Sequence, residues 1–79
     1  MEKEITTIIT WHNDMGMRSA AQIRIENPTP EIRTICECAG PRPIGVPTEW
    51  GNILAYHYNG DVLPIIEALK QKGYNPKLD

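Results

Sequence analysis

Between Asp61 and Gly73 the chain carries the one pattern that leaves little choice of structure. Val62, Ile65, Ile66 and Leu69 recur at helical spacing and form one apolar stripe. Glu67, Lys70, Gln71 and Lys72 supply the wet face. Asp61 is a good N-cap residue, and Pro64 falls in the first turn, where a missing N–H costs little. Lys70 and Lys72 lie where cations suit the helix dipole, and Gly73 is the natural residue just past the end. Tyr74 is then placed to fold back on Leu69 or Lys70.

A helix this amphipathic needs a surface to pack on. The preceding Asn52–Tyr58 reads as a strand, separated from the helix by the turn-forming triplet Asn59-Gly60-Asp61. Alternation sets Ile53, Ala55 and His57 on one side and Leu54, Tyr56 and Tyr58 on the other. Neither side is plainly polar, which suggests a strand inside a sheet and covered on both faces.

Two more strands are read earlier in the chain. Glu4–Trp11 is rich in isoleucine and threonine, and His12–Gly16 is turn material. Met17–Glu26 follows, clearest at Ala21–Glu26, with Gln22, Arg24 and Glu26 outward. The pair reads as an antiparallel hairpin.

Glu31–Ala39 sends conflicting signals. Thr29 as N-cap, Pro30 at the first position and Gly40 past the end delimit a helix, with Ile32, Ile35, Cys36 and Ala39 as its stripe. Its β-branched content favours a strand, with Ile32, Thr34, Cys36 and Cys38 on one face. The strand is preferred here. Residues 40–49, GPRPIGVPTE, hold three prolines and two glycines and are expected to be an ordered loop without a regular element. The tail from Asn75 is expected to fray.

The expected fold is therefore α+β: one domain over residues 1–79, a small antiparallel sheet of three or four strands and a C-terminal helix on one face. The order is β-β-β-β-α, with β-β-α-β-α as the alternative. In the four-strand version one helix of about 18 Å cannot cover both faces of a sheet roughly 19 Å wide. That predicts a homodimer closing over the uncovered face. If Glu31–Ala39 is helical, it can supply that cover instead and leave a monomer.

Composition excludes several functions. A net charge of −2 gives no electrostatic footprint for nucleic acid. No apolar run reaches membrane-spanning length, and the N-terminus lacks the shape of a signal peptide, so a cytoplasmic chain is expected. No phosphate-binding glycine motif is present, and the single serine sits in no nucleophile context. Cys36 and Cys38 are spaced C-x-C, where zinc sites use C-x₂₋₄-C and redox sites C-x-x-C. His12 and His57 are far apart in sequence, and His57 has only scattered carboxylates for an acid–base role. No metal, no cofactor and no enzymatic activity are expected.

The leading expectation is a small non-enzymatic module that binds another protein, of the inhibitor or adaptor kind that compact genomes such as those of phages encode. Its binding residues are taken to be Trp11, His12, Arg42, Trp50, Tyr56 and Tyr58. A rigid loop carrying Arg42 beside an indole is a reasonable recognition surface. One alternative is a small-ligand binder using loop 40–49 and the adjacent tryptophans. Another is a metal or thiol site at the Cys-x-Cys pair.

Overall fold

The computed structural model describes residues 6–14 and 20–78. It is α+β, with a five-stranded mixed sheet and two helices. The strands are β1 (Ile8–Asp14), β2 (Ala20–Glu26), β3 (Thr48–Trp50), β4 (Ile53–Tyr58) and β5 (Lys77–Leu78). The helices are α1 (Pro30–Cys38) and α2 (Leu63–Gln71). The sheet order is β3-β4-β2-β1-β5, antiparallel except where β5 joins β1 in parallel.

The register aligns one row of side chains across the sheet. Ile25 stands opposite both Ile9 and Leu54, and Ile23 opposite both Trp11 and Tyr56. These residues share a core with Ile32 and Cys36 from α1 and Val62, Ile65, Ile66 and Leu69 from α2. Both helices thus lie on the same face. The opposite face carries Thr10, His12, Gln22, Arg24, Glu26, Ile53 and His57 and has no layer over it among the described residues. The expectation that β4 would be covered on both sides is therefore corrected. Ile53 is half-buried and His57 exposed, and only the small Ala55 between them is buried.

Pro30–Cys38 is helical, so the preferred β-β-β-β-α order is replaced by ββαββαβ. The end signals outweighed the β-branched content. Thr29 Oγ1 accepts the Ile32 N–H at 3.2 Å, and Pro30 occupies the first turn. The stripe of the helical alternative is the one that packs, with Ile32 and Cys36 fully buried and Ile35 and Ala39 partly so. Gly40 lets α1 end against α2, since a Cβ there would stand 2.8 Å from Ile65 Cγ1. The premise of the dimer changes with this helix. Leu54 and Tyr56 are buried under α1 and α2 within one chain.

Three other boundaries moved. His12–Asp14 belong to β1, not to a turn, because they pair with Gln22, Ala21 and Ala20 of β2, and the side chain of Asn13 reaches the start of α2. Its Oδ1 accepts the Val62 N–H at 3.4 Å, and its Nδ2 donates to Asp61 Oδ1 at 3.1 Å. Thr48 and Glu49 leave the proline-rich loop to form β3. Lys77 and Leu78 pair with Thr10 and Trp11 where fraying was expected. The expected strand start at Glu4, the turn at Met15-Gly16 and the segment Met17–Ser19 fall outside the described residues.

The apolar stripe of α2 packs as its spacing implies, with Val62, Ile65, Ile66 and Leu69 all buried, but Asp61 stands one residue before the N-cap position expected of it. Asp61 Oδ1 accepts the Leu63 N–H at 2.9 Å, although the residue flanking the helix is Val62. At the far end the Gly73 N–H bonds to Lys70 O at 3.0 Å and the Tyr74 N–H to Leu69 O at 3.1 Å. With Gly73 at φ 96°, this is a Schellman closure. No helix among the described residues is long and apolar enough to cross a membrane.

Asn27 joins three parts of the sheet. It is the one non-glycine residue at positive φ, 60°, among the described residues. Its side chain donates to Thr6 O at 2.9 Å and accepts from Asn52 Nδ2 at 3.0 Å. Its N–H bonds to Asn52 O at 2.8 Å, and its carbonyl accepts from Thr7 Oγ1 at 2.8 Å. Asparagine tolerates this left-handed conformation better than other side chains do.

Two outcomes follow for stability. Ile66→Asp places an unpaired carboxylate at a site that is 1% exposed. The cost of several kcal/mol rivals the whole stability of a domain this small, so far-UV circular dichroism should report an unfolded chain. Tyr58→Phe removes the donor to the Cys36 carbonyl and leaves that buried oxygen unpaired. Urea denaturation should show a loss of about 1–3 kcal/mol with the fold retained.

Candidate functional site

The edge of the sheet beside β4 is built irregularly, and the irregularity makes a cleft. Pro43 bridges to Tyr58, and the Ile44 N–H donates to His57 O at 2.6 Å. Thr48 then pairs with Ala55. Three residues, Gly45, Val46 and Pro47, must therefore fit opposite the single position Tyr56. They swing off the edge instead. Gly45 at φ 62° permits the departure, and Pro41, Pro43 and Pro47 stiffen the segment.

Between this bulge and the end of α1 lies an open cleft of about 470 Å³. Glu37 and Cys38 line it from α1, and Arg42, Pro43, Val46 and Pro47 line it from the loop. Tyr56 stands behind it, itself fully buried. The Tyr56 hydroxyl donates to Glu37 Oε2 at 2.9 Å. Burial, then the hydrogen bond and charge of Glu37, push the Tyr56 hydroxyl well above the usual tyrosine range. It is a fixed donor at any physiological pH. The one ion pair among the described residues joins Arg33 to Glu49 at 3.5 Å, so Glu37 and Arg42 share the cleft without pairing.

The edge also concentrates exposed apolar side chains. Val46 is 86% exposed, Trp50 79% and Ile44 55%. Trp50 ends β3 and pairs with Ile53, which directs it to the uncovered face of the sheet. The hairpin that presents it turns on Gly51 at φ 61°.

The residues expected to bind do not form one surface. Arg42 lines the cleft, with Tyr56 behind it. Trp50 lies at the same sheet edge but on the opposite face, so no indole stands among the residues lining the Arg42 cleft. Trp11 packs against the core, partly buried, and His12 faces the uncovered side on β1, with β4 and β2 between it and the β3 edge. Tyr58 is buried, and its hydroxyl donates to Cys36 O at 2.7 Å. Glu37, Cys38 and Val46 were not singled out as binding residues. The first two are legible only in the helical reading of this segment, where they lie off the Ile32–Cys36 stripe. Val46 carried its own signal, an aliphatic residue between glycine and proline with no periodic face to bury it.

The two cysteines have unlike surroundings. Cys36 is buried under the helices, and Cys38 is exposed at the cleft. Two residues apart on a helix, their side chains point to opposite sides. Desolvation pushes the Cys36 thiol up to about 12. No group of three or more His, Cys, Asp or Glu suited to a metal ion occurs among the described residues.

Compared with protein-family models, with curated proteins and with solved structures, the chain matches none.

The thiols give a direct check. Iodoacetamide should modify Cys38 in the native protein and reach Cys36 only after unfolding. The raised folded-state value of Cys36 also fixes a sign. Below its ordinary value near 9 the thiol is protonated in both states, and its contribution is intact. Between there and about 12 only the unfolded chain ionises, so that contribution is progressively lost. The melting temperature should fall as pH rises above about 9, and less steeply for Cys36→Ala.

Proposed function

We propose that the chain is a small non-enzymatic binding module that docks on another protein through the β3 edge. The observation that carries this reading is the exposure of Ile44, Val46 and Trp50 within seven residues, on a segment stiffened by prolines. An exposed tryptophan on a short hairpin is the residue type that most often dominates an interface. A stiff segment loses little conformational entropy on docking, so more of the contact energy reaches the affinity. The prolines and the short β3 blunt the edge against open-ended strand pairing. Side-chain contacts, more than an added strand, would then supply the recognition.

The reading places no catalytic demand on the chain. His57 lies on the uncovered face beside Gln22, while Glu49 points to the helical side. Self-association remains a proposal of the second rank. A second copy would have to settle on the uncovered face, where Arg24, Gln22, His12 and His57 dilute the apolar area offered by Ile8, Ile53 and Trp50.

Capture from the source cells with Trp50→Ala and Val46→Asp as controls tests the docking edge. Both residues are exposed, so both variants should keep the wild-type melting temperature. A partner retained by the wild type should bind Trp50→Ala roughly 30-fold more weakly, in line with about 2 kcal/mol for a central tryptophan. A partner that both variants hold as tightly as the wild type would move the interface elsewhere.

A further inference from the structure

The cleft presents two opposite charges that do not meet. Glu37 and Arg42 both line it, yet no ion pair joins them. Glu37 is not a loose side chain, since its Oε2 is held by the Tyr56 hydroxyl at 2.9 Å. The carboxylate is thus oriented, with Oε1 making no hydrogen bond among the described residues. Arg42 is exposed and carries a planar fork of donors suited to a carboxylate. Pro43, Val46 and Pro47 supply an aliphatic wall beside them.

Charge decides what such a cleft can take. A simple anion would be attracted by Arg42 and repelled by Glu37. A simple cation would meet the reverse. A neutral apolar molecule would strip water from both charges and return nothing. A ligand carrying both signs over an aliphatic body satisfies all three walls at once. From this we infer that the cleft is a binding site for the zwitterion of an aliphatic amino acid or dipeptide. Its ammonium sits at Glu37, its carboxylate at Arg42 and its side chain on Val46 and the prolines. The two sources share this chemistry and differ by one peptide unit, about 3.8 Å between Cα atoms.

The volume of about 470 Å³ lies in the range of small-molecule sites. The cleft is open to solvent, so the dissociation constant should be on the order of 1 mM. The inference does not rest on the docking edge. It uses Glu37 and Arg42, which that reading leaves aside, and it survives if Trp50 proves irrelevant.

The test is a titration of the full chain, followed by its ¹H–¹⁵N amide spectrum. The probes are L-leucine, leucyl-leucine, N-acetyl-leucine and leucinamide. At least one of the two free zwitterions should give saturable shifts confined to Glu37, Cys38, Arg42, Val46 and their neighbours. Saturation by leucine alone assigns the amino acid, and saturation by leucyl-leucine alone assigns the dipeptide. Blocking either terminus removes a charge-assisted bond and should weaken binding roughly tenfold. Arg42→Gln should weaken the free zwitterion by about the same factor and leave leucinamide unaffected. Glu37→Gln should do the converse, weakening the free zwitterion and sparing N-acetyl-leucine. It keeps an acceptor for Tyr56. Arg42→Gln, at an exposed loop residue, decides the matter even if Glu37→Gln fails to fold. Absence of saturable shifts with both zwitterions would overturn the site. So would blocked ligands that bind as well as free ones, or shifts scattered away from the cleft.

Discussion

All three tyrosines of the chain commit their hydroxyls to one short helix. Tyr74, just past the end of α2, donates to Glu31 Oε1 at 2.8 Å and lies 3.4 Å from Thr29 Oγ1. That fastens the first turn of α1. Tyr58 reaches the Cys36 carbonyl and Tyr56 the Glu37 carboxylate, which fasten the last. The helix has nine residues, too short to be stable alone, so its place must come from tertiary contacts. The tyrosines provide them from two directions, the centre of the sheet and the C-terminal tail. Tyr56 and Tyr58 can act as a pair because they share one face of β4, with ring centroids 6.3 Å apart. Tyr74 can act only because the Gly73 closure turns the chain back across the helices.

Where α1 lies determines what the sheet exposes. Both helices occupy one face, and almost every large buried side chain is recruited there. A chain of this size has little apolar surface left for a second layer. The other face accordingly carries polar and charged residues over its central strands. Of the large apolar side chains left exposed, Ile44, Val46 and Trp50 collect at the β3 edge, where a proline-rich segment bulges past Tyr56. The cleft is a consequence of the same geometry. It exists because the end of α1 is held above β4 by Tyr56 and Tyr58 while residues 45–47 are forced away from it.

Elements whose side chains, caps and periodicity agreed were legible in the sequence, as α2 and β4 illustrate. Over Pro30–Cys38 two local signals disagree, and the Thr29 cap and Pro30 prevail over β-branched propensity. Thr34 illustrates why: its Oγ1 donates to the Pro30 carbonyl at 3.0 Å, so a residue that favours strands is accommodated inside the helix. The strand β5 was illegible for another reason. Two residues at a parallel edge have no pattern to show, and Lys77 and Leu78 are held there by β1, not by their own preferences. Of the candidate site, Arg42 and the stiff loop were legible. The grouping with tryptophan was not, because alternation along β3 sends Trp50 to the face opposite the cleft.

The separation of Trp50 from the cleft bears on how the molecule can work. A single surface joining an indole and a guanidinium would recognise one ligand by both. Here the edge strand divides them, with the indole on the uncovered face and the guanidinium near the end of α1. The two surfaces are nevertheless linked by Val46, which lines the cleft and is exposed at the edge. Its bulge is anchored at both ends, by Ile44 on His57 and by Thr48 opposite Ala55. A ligand in the cleft and a partner on the edge would therefore meet at the same side chain. Either could alter the affinity of the other through Val46, and by reciprocity the factor would be the same in both directions.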